Sequence, residues 1–235
     1  LDGAELHVEG QDIERLRLRA EVTAWDRGTI SVEAGDVMLG GQRVETLSLS
    51  AEGSRAQHAA VLAASGPLGE FGLDLSGALD ARGKLWRGNV SDLHLEPAER
   101  TAWRLREPAE LSYALNDGAL ALSRMCLDAA PASLCAHIRT RGAASEGEVE
   151  LQGLDLSELD PLLAAVLEQP AALSGQLAAK ATFARSANGA ITAEASATLP
   201  RMSMKLDPGS ERALLDLSDV QLNAALDPAQ ARVRL

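Results

Sequence analysis

The residues able to do chemistry in this 235-residue chain are few and scattered. Its four histidines, His7, His58, His94 and His137, form no His-Glu-x-x-His pair and have no carboxylate at ligand spacing, so a metal site would need assembly from distant segments. Their placement predicts solvated strand residues. There is no Gly-x-Ser-x-Gly elbow, no phosphate-cradling glycine loop and no Gly-x-Gly-x-x-Gly following a strand. Glu146 and Glu148 are paired carboxylates on an alternating strand where their neighbour Val149 points the other way, so a solvated face accounts for them. The residues predict no catalytic group, no metal ligand and no cofactor, and hence no enzyme. Asn89-Val90-Ser91 matches the glycosylation tripeptide, and one such match in a chain of this length carries no inference.

The cysteines are more informative. Cys126 and Cys135 flank Ala129-Ala130-Pro131-Ala132, and a hairpin centred between Ala130 and Pro131 sets them directly opposite, within the separation a disulfide accepts. A loop this short contributes about 2–3 kcal/mol in the chain-entropy account of cross-links. The alternatives are two buried thiols or a redox switch, the latter disfavoured without Cys-x-x-Cys. A disulfide implies an oxidising compartment. The same register puts Leu134, Ala136 and Ile138 on the face opposite Leu120 and Leu122, so a bulge or another turn is expected nearby.

The elements that carry these groups are strands. Leu and Ala dominate a composition that is 46% apolar but only 3% aromatic. Such residues favour helix on propensity, yet apolar and polar residues alternate along most of the chain. Leu-x-Leu begins at Leu16, Leu47, Leu73, Leu93, Leu120, Leu154 and Leu215, and longer alternating runs cover 16–24, 71–81, 173–183 and 191–199. Each run puts its apolar set on one sheet face. Turn signals separate them: Asp26-Arg27-Gly28, Gly40-Gly41, Asn116-Asp117-Gly118, Asn188-Gly189 and Asp207-Pro208-Gly209. Intervals between Leu-x-Leu starts vary from 20 residues (Leu73 to Leu93) to 61 (Leu154 to Leu215), too uneven for a fixed-period solenoid. The expectation is a continuous antiparallel sheet of irregular strands.

One segment departs from alternation. Asp160 suits a helix N-cap, Pro161 the first helical position and Pro170 the stop, with Leu159, Leu162, Leu163, Val166 and Leu167 on one face. This predicts a short helix at about 160–169, packed on the sheet or plugging a groove.

Acidic side chains outnumber basic ones 34 to 22, for a formal charge of −12, which excludes the phosphate attraction behind non-specific nucleic-acid binding. The balance also disfavours docking on anionic lipid by a basic patch, without bearing on lipid tails in an apolar groove. No stretch approaches 18 consecutive apolar residues, so none reads as a membrane-spanning helix. Leu1-Asp2-Gly3 carries no secretory signal, and Ala231–Leu235 reads as an interrupted strand, so the chain is expected to be a piece of a longer protein.

An apolar sheet face must be covered. A β-sandwich covers it with a second sheet and leans on aromatic and β-branched residues, whereas this chain has 11 Val and 4 Ile against many inward Ala and Leu. A smooth wall of Ala and Leu suits a sheet curled into a trough that accommodates hydrocarbon chains. Both architectures remain open on these grounds.

From Gly77 to about Gly175 the ordered set Gly83-Lys84-Leu85-Trp86-Arg87-Gly88, Leu93-His94-Leu95, Trp103-Arg104-Leu105, Cys126-Leu127, Leu134-Cys135 and Leu154-Asp155-Leu156-Ser157-Glu158-Leu159 resembles the TamB family of AsmA-like proteins. The resemblance covers roughly 100 residues. It implies an all-β fold, an elongated, curled antiparallel sheet forming an apolar groove (a β-taco-like trough) with one short helix, the alternative being a β-sandwich. It implies residues 1–235 as a middle periplasmic segment of that groove, in a parent anchored in the inner membrane of a Gram-negative bacterium and meeting a TamA-type outer-membrane barrel through a part not contained here. The periplasm is oxidising, in agreement with a Cys126–Cys135 disulfide. The implied function is non-enzymatic carriage of phospholipid between inner and outer membrane. Acyl chains would lie along a wall that includes Leu73, Leu75, Leu79, Leu120, Leu122, Leu177 and Ala179. Alternatives are a chaperone that adds strands of outer-membrane or autotransporter barrels to a sheet edge, and a structural β-rod spacer.

Overall fold

The computed structural model describes residues 2–8, 11–39, 42–98, 100–160, 172–205, 214–227 and 230–234. Among these residues the structure is antiparallel strand throughout, with one 3-10 turn at Leu156–Leu159, and every pairing belongs to an open ladder. No second sheet faces it, so the sandwich alternative is not what forms. The fold class is all-β, a curled, non-barrel sheet of the groove-forming type. Long twisted strands interrupted by bulges curl in this way, because each bulge adds local twist and bend. The chain divides into two compact units, Leu1–Leu127 and Asp128–Leu235.

The first unit is a meander of β1 (Asp2–Val8), β2 (Gln11–Ala24), β3 (Arg27–Leu39), β4 (Gln42–Ser54), β5 (His58–Gly66), β6 (Gly69–Leu79) and β7 (Leu85–Pro97). The short strands β8 (Trp103–Leu105) and β9 (Ala109–Ala114) share the far edge of β7: β8 pairs with His94 and Leu95, β9 with Leu85 through Val90. β10 (Leu120–Ala129) pairs with β9 and runs through the division between units. The signals Asp26-Arg27-Gly28 and Asn116-Asp117-Gly118 both fall at reversals, and Gly118 has φ 68°, which a residue without Cβ adopts at no steric cost.

The second unit pairs β11 (Ala132–Arg141), β12 (Ala144–Asp155), β13 (Ala172–Arg185), β14 (Ile191–Lys205), β15 (Leu215–Asp227) and β16 (Gln230–Arg234) in sequence order. Bulges interrupt β12/β13 between Leu151 and Leu154 and β13/β14 between Gly175 and Ala178. The connection from β10 to β11 is Ala130-Pro131, with a cis peptide bond. Asp155 caps the 3-10 turn, its Oδ1 accepting from the Ser157 amide at 3.0 Å, and Asp160 closes it in αR conformation. The Asp160 carboxylate accepts instead from the Leu173 amide at 2.7 Å, tying the turn to β13. The helix expected at about 160–169 lies, beyond Asp160, outside the described residues.

The core is thin. Buried apolar residues in the first unit are Ala34, Val37, Val90, Ala109, Cys126 and Leu127, and in the second Ala129, Ala132, Cys135 and Leu156. No large side chain among the described residues is fully buried. Among the described residues no second layer packs on the sheet.

Candidate functional site

Pairing register decides which residues share a face, because partners directly opposite in an antiparallel ladder project to the same side. In the first unit one row runs Leu18, Val32, Leu49, Leu62, Leu73, Leu93 across β2 to β7. The next runs Ala20, Ile30, Ala51, Ala60, Leu75, Val90 and on to Ala109 in β9. On the other side of it from the Leu row lies Val22, Gly28, Gly53, His58, Gly77, Gly88, Leu111, Leu122. Leu79 faces Trp86, Trp86 faces Tyr113, and Tyr113 faces Leu120. Leu73, Leu75, Leu79, Leu120 and Leu122 therefore project from one face, and His58 is the one titratable side chain in the three rows that cross β2 to β7.

The opposite face is polar. Arg17, Glu33 and Ser48 share one row, Arg19, Ser31, Ser50, Val61, Asp74 and Asp92 another. Arg17 pairs with Glu33 at 3.3 Å, and Arg104 with Glu96.

The second unit repeats the division. Leu134, Leu151, Ala179, Ala197 and Leu222 form one apolar row, and Ala136, Val149, Ala181, Ala195, Ala224 and Val233 the next. Leu177 faces Leu154 past the β12 bulge and shares the face of Ala179. The intervening rows are polar: Glu150, Lys180, Ser196 and Asn223, then His137, Glu148, Thr182 and Glu194. Lys180 bonds Glu148 at 2.9 Å. Glu146 and Glu148 thus sit on the solvated face, opposite to Val149.

The apolar faces are open walls. Leu18, Leu49, Leu95, Val149 and Phe183 remain 36–39% exposed, whereas Leu73, Leu75, Leu79, Leu120, Leu122, Leu177 and Ala179 are half-buried. Open depressions lie elsewhere: one of about 550 Å³ in the first unit involves Arg19, Ser50, Glu52 and Val61, and one of about 390 Å³ in the second involves Lys180, Glu194, Asn223 and Arg232. Both lie against polar rows.

Three histidines depart from the solvated expectation. His58 is half-buried with both ring nitrogens engaged: Nδ1 lies 2.9 Å from the Ser54 carbonyl, and Nε2 accepts from Trp86 Nε1 at 2.6 Å. A carbonyl only accepts and an indole only donates, so this arrangement is satisfied by the neutral Nδ1–H tautomer. The Trp86 ring lies over Gly77 and Gly88, where an added Cβ would come within 2.5 Å of ring carbons. The glycine of Trp86-Arg87-Gly88 is thereby explained as the bed of its own tryptophan. His94 covers Gly72 in the same manner and bonds Asp92 at 2.8 Å, and His137 is half-buried opposite Glu148. His7 stands opposite Asp12 in β1/β2. The missed signal was the glycines: one on a strand beside an aromatic residue in its own or the next strand marks a site where a ring lies flat.

Neither cysteine is free; both are disulfide-bonded. Cys126 and Leu127 are buried in succession, which breaks the alternation of β10. Two carboxylates are shifted. Hydrogen bonds from Arg43 and then Arg15 hold Asp36 below the ordinary carboxylate range, and those from the Leu85 and Lys84 amides do the same for Asp80. No group of three metal-ligating side chains occurs among the described residues.

A family model described as TamB, N-terminal domain, matches residues 1–235, the whole chain. The chain belongs to the TamB family. That description names an N-terminal domain, whereas the sequence suggested a middle segment. No solved structure matches the chain. TamB membership agrees with a non-catalytic structural or transport protein, and with the curled hydrophobic sheet it supports a periplasmic role of the lipid-transport type linked to outer-membrane biogenesis. No helix among the described residues is long and apolar enough to cross a membrane.

Proposed function

We propose that this chain carries phospholipid by holding acyl chains against the apolar face of its sheet, as part of a periplasmic bridge between inner and outer membrane. The observation that carries the proposal is a face paved with Leu, Ala and Val in register, with no second layer over it among the described residues. Such a face is costly to leave in water, and each lipid methylene withdrawn onto it contributes about 0.8 kcal/mol. Leu73, Leu75, Leu79, Leu120 and Leu122 in one unit and Leu177 and Ala179 in the other are the wall residues of this proposal. A spacer rod would fill its own core, and the thin core here argues against it. Anchoring of the parent in the inner membrane and contact with a TamA-type barrel belong to the same proposal, through parts of the parent not contained here.

Native mass spectrometry of the chain purified from a Gram-negative periplasm tests it. The expected result is phospholipid retained at defined stoichiometry. Lipid-free protein that also fails to take up phospholipid from micelles would refute it.

A further inference from the structure

We propose that the hairpin tips along one rim of the first unit form a contact line for the phosphate of lipid headgroups whose acyl chains lie on the adjoining apolar face, an inference that rests on the acyl-chain proposal above. Three successive reversals meet on this rim. Arg27, leaving the β2–β3 turn, stands opposite Ser54 at the β4–β5 turn. The Leu79 amide donates to the Arg55 carbonyl at 2.8 Å, which joins the second tip to the third, Asp80 to Lys84.

Every one of these tips presents a cation: Arg27, then Arg55, then Arg82 and Lys84, all exposed. Alternate reversals of a meander are two strands apart, so the tips follow one another at about 10 Å. None of the four cations forms a salt bridge among the described residues, whereas Arg15, Arg17, Arg43 and Arg104 elsewhere in the unit are each paired with a carboxylate. The carboxylate within the third tip, which Arg82 also attracts, is held by the backbone of its own turn. Asp80 accepts from the Lys84 and Leu85 amides at 2.7 and 3.1 Å, so it shapes its own turn. In a chain of net charge −12, four cations outside any salt bridge gather on this one rim.

The rim also adjoins the apolar face in a way that suits a lipid. Next to the first two tips runs the glycine row, Gly28 and Gly53, continuing through His58 to Gly77 and Gly88, where Leu79 and Trp86 stand between it and the third tip. The Trp86 ring and His58 fill the row at Gly77 and Gly88, so the open part lies over Gly28 and Gly53, leaving room there for the glycerol part of the molecule. Trp25, 92% exposed in the first tip, offers the amphipathic indole that settles at headgroup level. A diacyl lipid with a phosphate headgroup meets all three chemistries in order: chains on the Leu and Ala rows, glycerol over Gly28 and Gly53, phosphate at the tips.

The test uses the full chain and the variant Arg27→Gln/Arg55→Gln/Arg82→Gln/Lys84→Gln, whose changes are confined to exposed tips. Each protein is mixed with photo-crosslinkable phosphatidylglycerol or diacylglycerol of identical acyl chains, in the same nonionic micelles, and crosslinked lipid is counted by mass. The expected result is phosphatidylglycerol capture reduced about tenfold in the variant, with diacylglycerol capture unchanged. Undiminished phosphatidylglycerol capture, or equal loss of both lipids, overturns the rim assignment. Capture of neither lipid by the unaltered chain overturns the acyl-chain proposal on which it rests. Saturable binding of inorganic phosphate alone to the lipid-free chain, lost in the variant, assigns the tips to a free anion and overturns the headgroup.

Discussion

Asp36 carries more of the first unit than its place in an alternating strand suggests. It adopts φ 55°, a left-handed conformation that costs most residues energy and that Asp tolerates better than most. Its carboxylate accepts from Arg15 at 2.9 Å and from Arg43 Nε at 3.0 Å, and the next residue, Val37, is 3% exposed. The left-handed step breaks the alternation, so that the carboxylate meets the arginines and Val37 meets the core. Because both guanidinium groups hold the folded carboxylate below its ordinary range, the clamp stabilises the fold fully above about pH 4. That stabilisation is lost as pH falls through the lower folded value. Asp36→Asn keeps a residue type that accepts positive φ while removing the charge. The expected outcome is a lower Tm at neutral pH and a flatter decline of Tm between pH 5 and pH 2 than in the unaltered chain. Identical acid slopes in thermal unfolding would show that the clamp is not linked to folding. Nothing in the local sequence announced this role, since Gly35-Asp36 looks like any polar break.

Elements were more legible than single residues. Alternation around each Leu-x-Leu identified strands and their apolar faces despite a helix-favouring composition, because burial of one face outweighs intrinsic propensity. The bulges were not legible: Gly153 lies within that of β12 and Gly175 faces the start of that in β14, with φ 65° and 132°, but glycine also marks turns and aromatic beds in this chain. The segment around Ala130-Pro131 was legible from its symmetry, which motivates an explicit expectation. Material made in the periplasm should show no alkylated cysteine when treated without reductant and two after reduction, read by intact mass. Two alkylated thiols without reductant would mean that Cys126 and Cys135 do not pair in the cell. A short closed loop here adds about 2–3 kcal/mol, a useful increment where so few side chains are buried.

At the scale of the molecule, net charge was the least faithful guide. A total of −12 argued against nucleic acid and against a basic patch on anionic lipid, yet charge is distributed unevenly: Arg17 pairs with Glu33 and Arg104 with Glu96 on the polar face, and Arg27, Arg55, Arg82 and Lys84 at the tips form no salt bridge among the described residues. The same register sharpens the test of the apolar wall. Leu75→Arg places a cation between Ala60 and Val90, and Leu177→Asp a carboxylate beside Leu154, each where acyl chains would pass and at a cost of several kcal/mol unless water or a counter-ion enters. The controls are their neighbours on the polar face. Asp74 stands directly opposite Asp92, so Asp74→Arg exchanges a like-charge pair for an opposite one. Gln176 stands opposite Asp155, so Gln176→Lys gains a partner where an added carboxylate would meet repulsion. Introduced into the full-length parent, Leu75→Arg and Leu177→Asp should abolish lipid crosslinking while the protein still folds, and the two controls should leave it nearly unchanged. Since Leu75 and Leu177 lie in different units, each substitution interrogates its own wall. Equal effects from inner and outer substitutions, or no effect from the inner pair in folded protein, would remove support for acyl-chain carriage and favour the spacer rod.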